Sequence, residues 1–91
     1  MLLKKVKLLG SLNKAARELN MSYSKAWLII KRAEKALDCN LLDTKIGGKE
    51  GGGSFLTEKG ELLLNAYEIF SEEAEKVLQE LYKKHFKGFF E

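Results

Sequence analysis

The 91-residue sequence contains no proline, one cysteine (Cys39) and one histidine (His85). A single cysteine cannot form a disulfide within the chain, which is typical of proteins from a reducing cytoplasm. These two residues cannot supply the three or four Cys/His ligands of a zinc site, so we expect neither a metal nor a cofactor. No apolar run approaches 18 residues, which excludes a membrane-spanning helix.

The sequence also lacks the residue arrangement expected of an enzyme. Cys39 and His85 fall on different predicted elements, and no nucleophile, base and orienting residue occur together. The glycine run at residues 47–53 is not a phosphate-binding loop, because Glu50 stands where serine or threonine is required and the leading glycine is missing. We therefore predict no catalytic residues, and we interpret Cys39 as a small buried hydrophobe rather than a redox sensor.

The charged residues are distributed unevenly along the chain. Residues 1–49 contain eleven basic and four acidic residues, whereas residues 50–91 contain five basic and nine acidic residues. A net charge of +7 beside one of −4 indicates one surface that faces a polyanion, such as nucleic acid. The alternative is a chance distribution of surface charge.

Apolar residues at helical spacing predict three helices in the first 37 residues. The first carries Leu2, Leu3, Val6 and Leu9 and ends at Gly10; the second, capped by Ser11, carries Leu12, Ala15, Ala16 and Leu19; the third runs from about Tyr23 to Leu37 with Ala26, Ile30, Ala33 and Leu37 on its buried line. Asn20 tolerates the left-handed conformation that ends a helix, and Ser22 is a good N-cap. Two short helices joined by such a turn indicate a helix-turn-helix.

The next segment predicts a β-hairpin wing. Residues 40–46 and 54–56 are the candidate strands, and the glycines between them supply the positive φ angles that a hairpin tip needs. A flexible linker is the alternative for this glycine run. The expected fold is mainly α with a small β-hairpin: a winged helix-turn-helix domain over residues 1–56, with its wing at about 41–56, followed by residues 57–91.

The last segment predicts one long helix that is capped by Thr57 and ends near Phe86. At roughly 1.5 Å per residue such a helix exceeds 40 Å, which is longer than its own small domain is wide. Its apolar stripe steps by four and three residues, the rhythm of a coiled coil, through Leu63, Tyr67, Phe70, Ala74, Val77 and Leu81. Little in the chain is left to cover the stripe beyond Ser71, so we expect this helix to join two copies in a homodimer.

These features together predict a DNA-binding transcriptional regulator, because the second helix of a helix-turn-helix enters the major groove of duplex DNA. The expected DNA-binding residues are Ser22, Tyr23, Ser24, Lys25, Trp27, Leu28, Lys31 and Arg32 on the third helix and Lys45 and Lys49 on the wing. The cations among them neutralise phosphates, so binding should depend strongly on salt. Tyr23 and Trp27 are also suited to a subunit contact. The alternative function is a winged helix that docks another protein.

Residues 10–16 and 21–27 resemble the winged-helix domain of the molybdate-responsive repressors, the ModE family. The glycine cluster and the segment Leu56-Thr57-Glu58-Lys59-Gly60 continue this similarity, and the Ser-x-x-x-Ala-Ala-x-x-Leu and Leu-Thr-x-x-Gly elements resemble the more distant LysR-type regulators. The resemblance extends over residues 2–70. It implies transcriptional regulation, a dimer joined partly through the long helix, and DNA recognition by residues 22–31.

The family's regulators usually also carry an oxyanion-binding domain after the winged helix. The residues that follow the wing here are too few for one, so we expect no molybdate or other oxyanion to bind within this chain. A signal would then come from elsewhere, for example from a separate effector protein with which the chain pairs.

Overall fold

The computed structural model describes residues 1–45 and 53–90 of the chain. Within them the elements are α1 (Leu2–Leu9), α2 (Leu12–Glu18), α3 (Tyr23–Leu37), β1 (Leu42–Lys45), β2 (Gly53–Leu56) and α4 (Glu58–Phe86). Three helices, an antiparallel hairpin and one long helix follow in the predicted order, which confirms the winged helix. Ile46 and the glycine-rich residues 47–52, predicted as part of the wing, lie outside the described residues.

Local sequence signals set the ends of the first three helices. Gly10 takes a left-handed conformation with φ 66° and ends α1, and Asn20 does the same after α2 with φ 56°. Ser11 and Ser22 cap α2 and α3; each hydroxyl oxygen accepts a hydrogen bond from the backbone N–H three residues later, at 3.1 Å. These contacts pair N–H groups that have no partner within the helix itself. The cap and stop residues predicted from sequence are therefore confirmed.

The core lies where α1, α2 and α3 pack against the N-terminal end of α4. Its buried apolar residues are Leu2, Leu3, Val6, Leu12, Ala15, Ala16, Ala26, Ile30, Leu41 and Leu64. Three of them are alanines on α2 and α3, and their small side chains allow these two helices to approach closely. The apolar lines predicted for α1 and α2 are thus the faces that the fold buries, with Leu9 and Leu19 partly exposed at their ends.

The buried line predicted for α3 is wrong at its last position. Leu37 is 51% exposed, whereas Glu34 is only 8% exposed. The reason is that α3 ends at Leu37, Asp38 turns the chain with φ 53°, and the backbone that returns at Leu41 crosses over Glu34. The inward face of the last turn is therefore set by the returning chain rather than by the apolar periodicity.

The wing, formed by β1 and β2, is fastened to the first helix. The two strands pair with Leu42 opposite Leu56 and Lys45 opposite Gly53. On β2, Ser54 is buried and its N–H donates to the carbonyl oxygen of Gly10 at 3.0 Å. The base of the wing is therefore held by the body of the protein and not only by its own strand pairing.

The beginning of α4 is fastened to the chain that leads into β1. The Thr57 hydroxyl accepts from the N–H of Gly60 at 3.0 Å and donates to the carbonyl oxygen of Asn40 at 2.6 Å. The Thr57 N–H donates to the carbonyl oxygen of Leu41 at 2.9 Å. Gly60 packs so closely that a Cβ there would collide with this same carbonyl. The Leu-Thr-x-x-Gly segment thus lets the first turn of α4 cross the backbone that leads into β1 at close distance.

Most of α4 extends away from the core and gives the molecule dimensions of 60 × 27 × 20 Å. Of its 29 residues only Gly60 and Leu64 are buried, while Leu63 is half-buried against the core. The predicted end at Phe86 is confirmed. Among the helices of residues 1–45 and 53–90, none is both long and apolar enough to cross a membrane. The division into domains at residue 57 stays a prediction.

Candidate nucleic-acid interface

The first two turns of α3 present a continuous exposed face. Tyr23, Ser24, Trp27 and Leu28 line one shallow depression on the surface, and all four are exposed. Trp27 keeps 46% of its surface accessible although it is the largest side chain in the protein. The structure therefore brings these four predicted contact residues together at the end of the helix that the helix-turn-helix geometry aims at a DNA groove.

Basic side chains are exposed on both helices of the helix-turn-helix. Lys25 and Arg32 are exposed on α3, and Lys14 and Arg17 are exposed on α2. None of these four forms an ion pair with another residue in the described parts of the chain. Ser22 is exposed as well, and its hydroxyl oxygen already accepts the capping bond, which leaves its hydrogen to donate. The arrangement suits phosphate neutralisation.

Lys31 differs from the other cations of the predicted interface. Its ammonium nitrogen lies 3.2 Å from Oε1 of Glu34 and 5.5 Å from the centre of the Trp27 ring. An opposite charge on one side and an aromatic face on the other both attract an ammonium group. Lys31 thus occupies a defined position between α3 residues instead of extending freely into solvent.

Glu34 is the residue of this site that the sequence analysis missed. Its Oε2 accepts hydrogen bonds from the backbone N–H groups of Leu41, at 2.7 Å, and Leu42, at 3.3 Å. Burial alone would raise the pKa of the Glu34 carboxyl, but these two N–H groups and the Lys31 ammonium hold that pKa below its usual value. The carboxylate is therefore charged and fully engaged at the root of the wing.

One sequence signal for Glu34 exists in its spacing. Glu34 follows Ile30 by four residues and Ala26 by eight, so it continues the buried side of α3. A charged residue at a buried helical position indicates a specific partner, because an unpaired buried charge is too costly to retain. Its partners here are Lys31, three residues earlier, and two backbone N–H groups, and no pattern of side chains reveals the backbone partners.

The wing supplies one cation among the described residues. Lys45 ends β1 and is exposed, with its ammonium nitrogen 5.8 Å from the centre of the Phe55 ring on the paired strand. Lys49, the second predicted wing contact, lies outside the described residues. A cleft between α3 and β1 separates the wing from the helix and includes Tyr23, Trp27 and Thr44 in its lining.

The predicted dimerisation stripe is a separate surface on α4. Tyr67, Phe70, Ala74, Val77 and Leu81 are all exposed, and Leu63 alone among the stripe residues packs partly on the core. Phe70 has 68% of its surface accessible. Additional exposed apolar residues on the helix, which the stripe did not include, are Leu62, Ile69, Leu78, Tyr82 and Phe86.

An aromatic cluster lies at the far end of this helix. After α4 ends, Gly88 turns the chain with φ 92°. Phe90 then stacks on Tyr82 with ring centres 6.1 Å apart, and Phe86 contacts both Phe89 and Phe90. All of these rings are exposed, which adds to the apolar surface that α4 leaves open.

Cys39 and His85 lie in different parts of the fold. Cys39 is half-buried beside the core, and His85 is exposed in the last turn of α4. In the parts of the chain that the structure describes, no three histidine, cysteine, aspartate or glutamate side chains are placed to share a metal ion.

Fold and surface together define a winged helix-turn-helix of the DNA-binding class. Residues 1–61 match the family of bacterial regulatory helix-turn-helix proteins described as the lysR family. The chain belongs to this family.

Several curated proteins are similar to this chain over most of its length. The transcriptional regulator ModE of Haemophilus influenzae is 38% identical over 82 residues, which span 87% of this chain and 32% of that protein. The DNA-binding transcriptional dual regulator ModE of Escherichia coli is 32% identical over 80 residues, 88% of this chain and 30% of that protein. The molybdenum-pterin-binding protein MopB of Rhodobacter capsulatus is 36% identical over 74 residues, 81% of this chain and 27% of that protein. The chain spans about a third of the length of the relatives it matches.

Proposed function

We propose that this chain binds duplex DNA in a sequence-specific manner as a homodimer and thereby regulates transcription. The observation that carries the proposal is the exposed face at the beginning of α3, which is formed by Tyr23, Ser24, Trp27 and Leu28. The same helix also exposes the cations Lys25 and Arg32. Membership in a family of helix-turn-helix regulators supports it. A cytoplasmic location and the lack of a bound oxyanion stay predictions.

In this proposal α3 enters the major groove with its first two turns. Ser24 and Tyr23 reach base edges, and Trp27 and Leu28 make apolar contacts there. Lys25 and Arg32, two turns apart on one side of the helix, neutralise phosphates. Ser22 donates its hydroxyl hydrogen to a phosphate at the beginning of the helix. On the wing, Lys45 and Lys49 contact the backbone of the flanking DNA. Lys31, predicted as another contact, is considered separately below because of its pairing with Glu34.

The long helix provides the second half of the proposal. The exposed stripe from Tyr67 to Leu81 covers most of α4 beyond the core, and apolar surface of this extent marks an interaction site. Pairing with a second copy buries the stripe on both chains at once. Two α3 helices about 34 Å apart then contact successive major grooves on one side of the duplex, which predicts a palindromic site.

Selection of bound duplexes from a random pool, followed by fluorescence anisotropy at about 150 mM salt, tests this function. We expect enrichment of an inverted repeat whose half-sites are one helical turn apart, and weaker binding to a scrambled duplex. Equal affinity for selected and scrambled duplexes would contradict sequence-specific binding.

A second candidate function is a protein-docking module, and the apolar character of Tyr23, Trp27 and Leu28 favours it. Capture of partners with the intact chain, with and without nuclease treatment, separates the two functions. A partner that is retained after nuclease treatment and is released by Trp27→Ala would favour docking. The same partner would then compete with DNA if both use this face.

A further inference from the structure

Glu34 on α3 contacts both the backbone at the root of the wing and the side chain of Lys31. It projects from α3, its Oε2 holds the backbone at Leu41 and Leu42, and its Oε1 pairs with Lys31. Leu42 is the first residue of β1. One carboxylate therefore joins the helix that enters the groove to the root of the wing.

We propose that Glu34 is a positioning residue for the DNA interface: it fixes the wing relative to α3 and withdraws the charge of Lys31 from the phosphates, so that Lys31 is a strut and not a DNA contact. This inference rests on the proposed DNA binding. It revises the assignment of Lys31, which the pattern of charges along α3 alone would class with Lys25 and Arg32.

The hydrogen-bond geometry supports this role. Glu34 accepts hydrogen bonds from the N–H groups of two consecutive residues just where the chain enters the wing, so the carboxylate holds the backbone at the beginning of β1. The Glu34 side chain is 8% exposed while that of Lys31 is 50% exposed, so the buried partner determines where the pair lies. The Trp27 ring, 5.5 Å from the ammonium nitrogen, attracts the same charge.

The charges lead to the same assignment. A phosphate that recruited Lys31 would have to separate it from a buried carboxylate and leave that carboxylate with backbone partners alone, which is costly. Lys25 is the matched comparison, because it lies on the same helix and forms no ion pair with the described residues. A phosphate is attracted by the full positive charge of Lys25. It is attracted more weakly by the Lys31–Glu34 pair, in which the two charges largely cancel.

The test measures how the logarithm of the DNA affinity of the full chain depends on the logarithm of the salt concentration. Each phosphate-neutralising cation contributes about 0.9 to this slope. We expect Lys25→Ala to reduce the slope by about 0.9 per protomer and Lys31→Ala to leave it nearly unchanged. Glu34→Gln, whose amide oxygen still accepts from Leu41, should steepen the slope by about 0.9 per protomer because it releases Lys31. The double variant Lys31→Ala/Glu34→Gln should have the wild-type slope, because the released cation is then missing.

The outcomes separate this inference from the function on which it rests. Wild-type protein that binds no duplex removes the proposed function and this inference with it. If the wild type binds DNA and Lys31→Ala loses as much slope as Lys25→Ala, the inference is overturned while the proposed function stands. Should Glu34→Gln fail to fold by circular dichroism, the Lys31→Ala and Lys25→Ala pair decides the question, since both residues are exposed.

Discussion

The winged body, residues 1–45 and 53–64, and the distal half of α4, residues 71–86, use apolar side chains in opposite ways. All ten buried apolar residues lie in the body. In the distal half, Val77, Leu78, Leu81, Tyr82 and Phe86 are about half exposed or more. The body is therefore stabilised by its own packing, whereas an isolated helix gains little stability from propensity alone. This contrast supports the proposal that the distal half pairs with a second copy.

The largest expected effect is within the body, where the first turn of α4 crosses the backbone at Leu41. Gly60→Ala places a methyl group against the carbonyl of Leu41, which is held by Thr57 and cannot move away. We expect a loss of about 3 kcal/mol in the free energy of unfolding, measured with urea. Gly10→Ala is the control: its Cβ meets no neighbour, and the positive φ costs only about 1 kcal/mol. Equal losses in both variants would contradict the close crossing.

A pair of leucine variants tests the contrast itself. Leu64→Ala removes a side chain that is 3% exposed and should lower the free energy of unfolding by about 3 kcal/mol. Leu81→Ala should leave the stability of the body unchanged but weaken dimerisation by about a hundredfold, since each dimer loses two buried leucines. Sedimentation equilibrium measures the second effect. A Leu81→Ala protein with wild-type self-association would exclude this residue from the interface.

The body could be predicted from sequence almost entirely, because its determinants are local. Gly10, Ser11, Asn20, Ser22 and Thr57 each act on the backbone within a few residues, and the apolar periodicity of α1 and α2 selects their buried faces. The length of α4 was likewise predicted, and the helix ends at Phe86 as expected.

The errors of the sequence analysis have a common physical cause. Each arises where a residue contacts backbone that is distant in the sequence. Leu37 fits the apolar line of α3 but is exposed, and Glu34 breaks that line but is buried, because the chain returns at Leu41. Gly60 had no role in the sequence pattern beyond a family element, since the carbonyl it approaches belongs to a residue 19 positions earlier. Periodicity describes one helix at a time and carries no information on which segment crosses it.

A smaller effect is expected for DNA binding by the body. Lys25→Ala should weaken binding about fivefold per protomer at 150 mM salt, through the loss of one phosphate contact, and should not change the circular dichroism spectrum. Lys76→Ala, in the distal half of α4, is the matched control, and it should bind DNA as the wild type does. Equal affinities for all three proteins would remove Lys25 from the interface.

The smallest effect concerns the pH dependence of the body. The folded state lowers the pKa of Glu34, so the carboxylate contributes stability above its unfolded value of 4.5, and this contribution is lost as the pH falls through the lower folded value. Glu34→Gln should therefore be less stable than the wild type by about 1.5 kcal/mol at pH 7. The difference should shrink below pH 4.5. A difference that is constant from pH 7 to pH 3 would show that the charge of Glu34 does not stabilise the fold.

The account depends most on the claim that two copies pair through α4. This pairing holds the two α3 helices on one duplex. The most direct measurement is the mass of the complex with a selected inverted-repeat duplex, by light scattering coupled to size exclusion. We predict two chains per duplex, and one chain or none when Val77 and Leu81 are both replaced by glutamate. Two chains bound by that double variant with unchanged affinity would contradict the claim.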